Sequence, residues 1–215
     1  MASLVGSRVE RKEDKKFLTG KGRYTADINL ANQTHGIFVR SPHARAQIKK
    51  VDTSKASKAP GVVAILTGQD IVNDKIGGLI AGWKIVSEDG TEMKVPPHPA
   101  LAKDSVNYVG DHIALVIAET LDQAIDAAEK VKVDYKVLKA VVNTEDAMSG
   151  DTIYNNIEKN LCFDWLLGDR AKTKEAFDSA DKVVKIDLRN NRLIPNAMEP
   201  RAAIGDYNTS TEEIT

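Results

Sequence analysis

Two glycines near the start of the chain, Gly20 and Gly22, flank Lys21 at a spacing found in phosphate-binding loops. A dinucleotide-binding loop needs a third glycine three positions further on, between a strand and a helix, but Thr25 stands there. A P-loop needs Ser or Thr directly after Gly-Lys, whereas Lys21 is followed by Gly22. Because both patterns fail, the glycines predict a turn before a strand, with a phosphate site as the weaker alternative.

The side chains that act as nucleophiles or metal ligands are scattered along the sequence. Cys162 is the one cysteine, which excludes iron–sulfur and structural zinc sites of the usual kind. Its apolar neighbours predict a buried small side chain, and a catalytic role would require a nearby histidine. His98, in a proline-rich stretch, is a surface or site candidate, and His112 is a structural donor at the start of a buried strand. No residue is assigned a catalytic or metal-binding role.

Two further sets of residues have more than one interpretation. Glu199 and Arg201 lie two positions apart in an extended stretch, so their side chains point to the same face. This spacing predicts a structural ion pair, with a site role as the alternative. Trp83 and Trp165 are isolated along the sequence and are predicted to be core or interface residues.

Composition limits the classes of function. The 215 residues are 42% hydrophobic and 28% charged, as in a soluble globular protein of one or two domains. A net charge of −1 argues against a general nucleic-acid binder. Residues 1–60 hold 13 Lys and Arg against 5 Asp and Glu, which indicates a mixed solvated surface or, alternatively, a basic arm for an acidic partner. The absence of a long apolar run or a secretory signal predicts a cytoplasmic protein without a membrane span.

Hydrophobic periodicity divides the chain into two sets of elements. In the first set, a buried strand at 112–119 precedes a helix that Thr120 and Gln123 begin as a capping box. Residues 72–104, rich in glycine and proline, predict a long functional or partner-facing loop. The second set has too few strands to cover both faces of a sheet. The other predicted elements are strands at 34–40, 45–51, 62–66 and 132–138, short helices before Pro60 and near 144–148, strands at 161–167, 182–188 and 198–207, and a helix at 170–179.

Four collinear stretches carry a resemblance to a known family. They are FLTGKGRYTADINL, HGIFVRSPHARAQIKKVDTSKASKAPGVVAILTG, VNYVGDHIALVIAETLDQAIDAAEKVKVDY and MEPRAAIGDY. Together they resemble the N-terminal part of the molybdenum subunit of the xanthine dehydrogenase and aldehyde oxidase family. Within this family, their sequence is most similar to that of the large chains of aerobic carbon monoxide dehydrogenases.

This resemblance implies an α+β fold with a defined domain order. Residues 1–17 would be an N-terminal arm and residues 18–138 an α/β hammerhead domain. Residues 139–160 would be a linker. Residues 161–215 would be the incomplete first strands and helix of a molybdopterin-binding domain.

The resemblance also implies a function. Family members are oxidoreductases that hydroxylate substrates with oxygen from water, using a molybdenum–molybdopterin cytosine dinucleotide cofactor. Electrons leave through an iron–sulfur small subunit and an FAD medium subunit. The family's catalytic segments have no counterpart before Thr215. We therefore expect this chain to be a structural N-terminal portion of the large subunit, which by itself is inactive and binds no cofactor. The alternative is a free-standing, non-catalytic protein-interaction module.

Overall fold

The computed structural model describes residues 5–191 and 193–215, so residues 1–4 of the predicted arm lie outside the described residues. The chain divides into two compact units. Residues 34–183 form one unit, called here the sheet unit, and the terminal unit comprises the described residues before and after it. The elements are, in chain order, α1 (Asp14–Leu18), β1 (His35–Arg40), β2 (Ala46–Asp52), β3 (Val62–Thr67), α2 (Gly68–Asn73), β4 (Ser105–Val106), β5 (His112–Ala118), α3 (Leu121–Ala128), β6 (Lys132–Val137), α4 (Arg170–Asp178), β7 (Tyr207–Asn208) and β8 (Glu213–Ile214), with 3₁₀ turns at Thr25–Asp27, Ala56–Lys58 and Glu158–Asn160.

Two antiparallel three-stranded sheets build the sheet unit. The first sheet has the order β1-β5-β3 and the second has the order β4-β2-β6. Ile113 of β5 lies in a core cluster with three buried residues of the second sheet and its approach, Ala46, Ala102 and Val106. The two sheets therefore share one hydrophobic core.

The predicted strand–helix–strand passage is confirmed as β5, α3 and β6, but its two strands do not share a sheet. Strand β5 pairs with β1 and β3, whereas β6 pairs with β2. Helix α3 packs on β1 and β5 and buries Ala124 and Ala127. The passage therefore connects the two sheets across the core instead of extending one of them.

The predicted capping box at the start of α3 is confirmed. The Thr120 hydroxyl accepts a hydrogen bond from the Gln123 backbone N–H at 3.3 Å. In return, the Gln123 side-chain oxygen accepts one from the Thr120 backbone N–H at 3.1 Å. These two bonds satisfy donors that a helix start otherwise leaves unpaired.

We expect Thr120→Ala to lower the free energy of unfolding by about 1 kcal/mol, because the N-cap hydroxyl is lost. Urea denaturation followed by circular dichroism measures this change. Thr152→Ala, at an exposed position outside the helices, is the matched control. Equal stability of the two variants would contradict the capping role.

Three short elements of the sheet unit differ from expectation or refine it. The predicted helix before Pro60 is the single 3₁₀ turn Ala56–Lys58, and residues 144–149 form turns instead of a helix. Helix α2 was not predicted, although Thr67 and Asp70 have the spacing of a capping box. The Asp70 carboxylate accepts the Thr67 backbone N–H and hydroxyl, each at 2.7 Å.

The strand predicted at 161–167 is wrong. Two backbone bonds join this segment to the long loop, from Glu88 N–H to the Asp164 carbonyl and from Lys94 N–H to the Cys162 carbonyl, each at 2.9 Å. These bonds are isolated and do not form a ladder. The helix predicted at 170–179 is confirmed as α4, whose N-cap Asp169 accepts from the Lys172 backbone N–H at 3.0 Å.

The strands predicted at 182–188 and 198–207 are also wrong as regular elements. Among the described residues, only the hairpin of β7 and β8 follows α4 as strand structure. An extended segment becomes a strand when a neighbour satisfies its backbone N–H and C=O groups. The segment 182–188 pairs with none in the described part of the chain, and in 198–207 only the last two residues, Asp206 and Tyr207, pair with the end of the hairpin. No described helix is long and apolar enough to cross a membrane.

Candidate functional site

A cleft of about 630 Å³ lies in the sheet unit, between the long loop and the turn that leads into β5. Its volume is within the range of small-molecule sites. Apolar residues of the loop and of α2 form one wall, and polar side chains gather at one end. The principal lining residues are Val72, Leu79, Val95 and Pro96 on the wall, and His98, Asn107, Tyr108, Asp111 and Tyr154 at the polar end.

Hydrogen bonds hold the polar end together. The Asp111 carboxylate accepts the Asn107 backbone N–H at 3.1 Å, and the Asn107 amide donates to the Tyr154 hydroxyl at 3.3 Å. The His98 Nε2 lies 3.3 Å from the Tyr108 hydroxyl. Burial, and next the Asp111 carboxylate, raise the pKa of Tyr108, and burial also raises the pKa of Tyr154. Both phenols therefore remain neutral hydrogen-bonding groups and do not serve as bases near neutral pH.

His112 connects this end of the cleft to β1. Its ring stacks on Phe38 with 4.2 Å between centroids, and Arg40 Nη1 lies 2.6 Å from His112 Nε2. Because a guanidinium can only donate, Nε2 is the acceptor and the imidazole is neutral. His112 begins the mostly buried strand β5, and a hydrogen bond to the Ala100 backbone agrees with its predicted role as a structural donor.

We expect His112 to make stability depend on pH. Burial, and next the Arg40 guanidinium, lower the pKa of His112 below its ordinary value of 6.5. As pH falls through 6.5, the unfolded chain therefore gains a proton before the folded protein does, and the free energy of unfolding decreases until the folded pKa is passed. Urea denaturation between pH 8 and pH 5 should show this loss in the wild type and a smaller loss in His112→Gln.

His35→Gln is the control for this experiment, because His35 lies on the same pair of strands but away from Arg40. This control should retain the wild-type pH dependence. An unchanged slope in His112→Gln would contradict the effect.

The other candidate residues do not join this cleft. Cys162 is partly exposed, so the prediction of a buried small side chain is wrong. No ion pair joins Glu199 to Arg201 among the pairs of the described residues, so the predicted pair is also wrong. Trp83 is 82% exposed and Trp165 is 58% exposed, which excludes both from the core.

The glycines near the start of the chain form a turn, as predicted. Gly20 has φ +68° and follows Thr19, the C-cap of α1, at a position where a left-handed residue is common. Gly22 faces the Phe17 ring, which stacks on Tyr24 with 5.6 Å between centroids. The turn leads into the 3₁₀ turn Thr25–Asp27, so the strand predicted to follow is wrong. A phosphate loop precedes a helix, whereas these glycines follow one, so this turn does not fit a phosphate.

The fold and these residues define a class of protein. Residues 19–139 match the family model described as aldehyde oxidase and xanthine dehydrogenase, a/b hammerhead domain. This match spans more than half of the chain, and the chain therefore belongs to this family. Small helices combined with antiparallel sheets are the hammerhead α/β fold that the resemblance implied.

The chain is similar to particular large subunits within this family. It is 35% identical to the nicotine 6-hydroxylase large subunit of Paenarthrobacter nicotinovorans, over 99% of this chain and 25% of the relative. It is 31% identical to the carbon monoxide dehydrogenase large chain of Afipia carboxidovorans, over 98% of this chain and 26% of the relative. The chain thus spans about a quarter of the length of these curated relatives and is homologous to part of the large subunit of molybdenum hydroxylases.

Two solved structures agree with this assignment. The reconstituted CO dehydrogenase from Oligotropha carboxidovorans superimposes with a TM-score of 0.66 at 32% identity, over 82% of this chain and 22% of that chain. A second structure is described as a Cu,Mo-CO dehydrogenase and has a TM-score of 0.62 at 30% identity, over 82% of this chain and 23% of that chain.

The described residues contain no group of three or more His, Cys, Asp and Glu side chains that could hold a metal ion. The polar end of the cleft offers two neutral phenols, an amide, an imidazole and a carboxylate, which are groups that form hydrogen bonds.

Proposed function

We propose that this chain is a structural, hammerhead-bearing portion of the large subunit of a molybdenum hydroxylase. It belongs to an oxidoreductase but does not itself supply the active site. The observation that carries the proposal is collinear similarity over almost the whole chain to about a quarter of each relative. We assign residues 18–138 to the hammerhead domain, residues 139–160 to a linker and residues 161–215 to the start of the cofactor domain.

The exposure of apolar side chains supports this proposal. Large apolar side chains between α4 and β7 are exposed to solvent, although full burial of each would be favourable by about 1.5–3 kcal/mol. Such a run is typical of a segment that other parts of an assembly cover. The exposed residues in this stretch are Val183, Val184, Ile186, Leu188, Leu193, Ile194 and Met198.

The cofactor and partners follow from the same proposal. The molybdenum–molybdopterin cofactor, in its cytosine dinucleotide form, would be held by the remainder of the large subunit. An iron–sulfur small subunit and an FAD medium subunit would carry electrons away, in the cytoplasm. One relative is described as the gamma subunit of a dehydrogenase complex, which supports a multi-subunit assembly.

We predict that the 215-residue chain, purified from cells that make the cofactor, contains no stoichiometric molybdenum. The physical reason is that its residues lack a metal-ligand cluster and a phosphate loop within the described part. Elemental mass spectrometry measures molybdenum per chain. A full-length carbon monoxide dehydrogenase large chain, prepared in parallel, is the positive control. One molybdenum per 215-residue chain would refute the proposal.

A free-standing interaction module is the second candidate, because the sheet unit has a core of its own around Ile113. Light scattering after size-exclusion chromatography separates the two functions. A monodisperse monomer supports the module. Aggregation, or co-purification with a companion chain, supports the subunit portion.

A further inference from the structure

Strand β5 is apolar on both sides, yet the sheet unit covers only one of them completely. Ala114, Val116 and Ala118 have no exposed surface, whereas the alternate residues Leu115 and Ile117 are partly exposed. A short continuous apolar run is typical of a strand that is buried on both faces, as in the core of a sandwich. The sequence of β5 is therefore that of a strand with layers on both sides, and one layer is absent from the sheet unit.

The strand register extends this surface across the first sheet. Phe38 of β1 pairs with Leu115, and on β3 Ala64 pairs with Ile117 and Leu66 with Leu115. Cross-strand partners project to the same face, so these side chains form one apolar surface. Phe38 is 39% exposed, and the others are partly exposed. We call this surface, made of Phe38, Ala64, Leu66, Leu115 and Ile117, the open sheet face.

Arg40 stands at the edge of the open sheet face with unused donors. Its guanidinium carbon lies 5.7 Å from the centroid of the Phe38 ring. Its Nη1 atom donates to the Gly110 carbonyl at 3.2 Å and to His112. No carboxylate of the described residues forms an ion pair with Arg40. Because a guanidinium binds carboxylates through two parallel hydrogen bonds, this edge is complementary to an acidic group.

We propose that the open sheet face docks a segment of the remainder of the large subunit, in the same polypeptide. This inference rests on the proposed function. The segment carries apolar side chains along the sheet and a carboxylate that meets Arg40. The same polypeptide is the favoured occupant because the relatives extend about three quarters of their length beyond the part that this chain matches.

The test uses the full large subunit in its native assembly, with Phe38 replaced by photoreactive benzoylphenylalanine. After irradiation, mass spectrometry identifies the cross-linked peptide. We expect a peptide of the same polypeptide, from outside residues 1–215, that contains Asp or Glu. The same probe at Val137, which is 61% exposed on the second sheet, is the control and should not capture that peptide.

Charge reversal tests the acidic contact. We expect Arg40→Glu to reduce the yield of the Phe38 cross-link several-fold, and a Lys or Arg in place of the captured acidic residue to restore it. Restoration distinguishes a lost ion pair from general damage to the fold. A yield that Arg40→Glu leaves unchanged would overturn the acidic contact.

The outcomes also separate this inference from the proposed function. A full-length large subunit that cross-links from Phe38 to a second copy, to another subunit or to nothing overturns the inference alone. A native polypeptide of only 23.4 kDa overturns both, because no further segment then exists.

Discussion

Gly68→Ala is expected to lower the free energy of unfolding of the sheet unit by about 3 kcal/mol, at the upper end of typical overpacking penalties. Gly68 begins α2, and a Cβ atom there would lie 2.5 Å from the Ala102 carbonyl oxygen and 2.6 Å from the Lys103 Cα. These atoms belong to the backbone, so no side-chain rotation relieves the contact. Relief of this steric clash requires α2 to move away from residues 101–103, which line the cleft.

Gly77→Ala and Gly82→Ala are the matched controls for this substitution. A Cβ atom at either position would meet nothing within 4 Å. Both controls should remain within about 0.5 kcal/mol of the wild type, as is usual for surface substitutions. Urea denaturation monitored by circular dichroism compares the three variants. If Gly68→Ala proves as stable as the controls, α2 is not held against residues 101–103.

Ile113→Ala is expected to lower the free energy of unfolding by about 3–4 kcal/mol, within the range for large-to-small changes in cores. Ile113 is fully buried in the cluster that joins the two sheets. Removal of its side chain leaves a cavity that both sheets line, and neither sheet can close it without losing register. The same denaturation experiment measures the loss.

Ile80→Ala is the control for this change, because Ile80 is 92% exposed in the long loop of the same unit. Its stability should stay close to that of the wild type. Ile113→Val should cost about 1 kcal/mol, between the two. A loss at Ile113 no greater than that at Ile80 would show that the sheets do not share a core.

These two effects concern the parts of the fold on which function depends. Ile113 belongs to the strand that carries His112 and Leu115, so its packing fixes both the edge of the cleft and the open sheet face. Gly68 sets the distance between α2 and the residues that precede β4. A variant that separates these elements should therefore lose the cleft together with its stability.

Local sequence was sufficient where local physics decides. The capping box at Thr120 and Gln123 and the N-cap at Asp169 involve neighbours three residues apart, so both helix starts were predictable. Strands β1 and β5 followed from apolar patterns. The family followed from four long collinear stretches, whose order carries more information than any single motif.

The tertiary structure decided what depends on a distant partner. Strands β5 and β6 lie in different sheets, and the Arg40–His112 contact joins residues 72 positions apart. The segments at 161–167 and 182–188 have strand-like sequences but form no strands, because their backbone groups find no ladder in the described chain. The apolar sequence of β5 was sufficient to indicate that burial is favourable on both faces of this strand. Which of them is covered within this chain was decided by where α3 packs, since hydrophobic burial has no direction of its own.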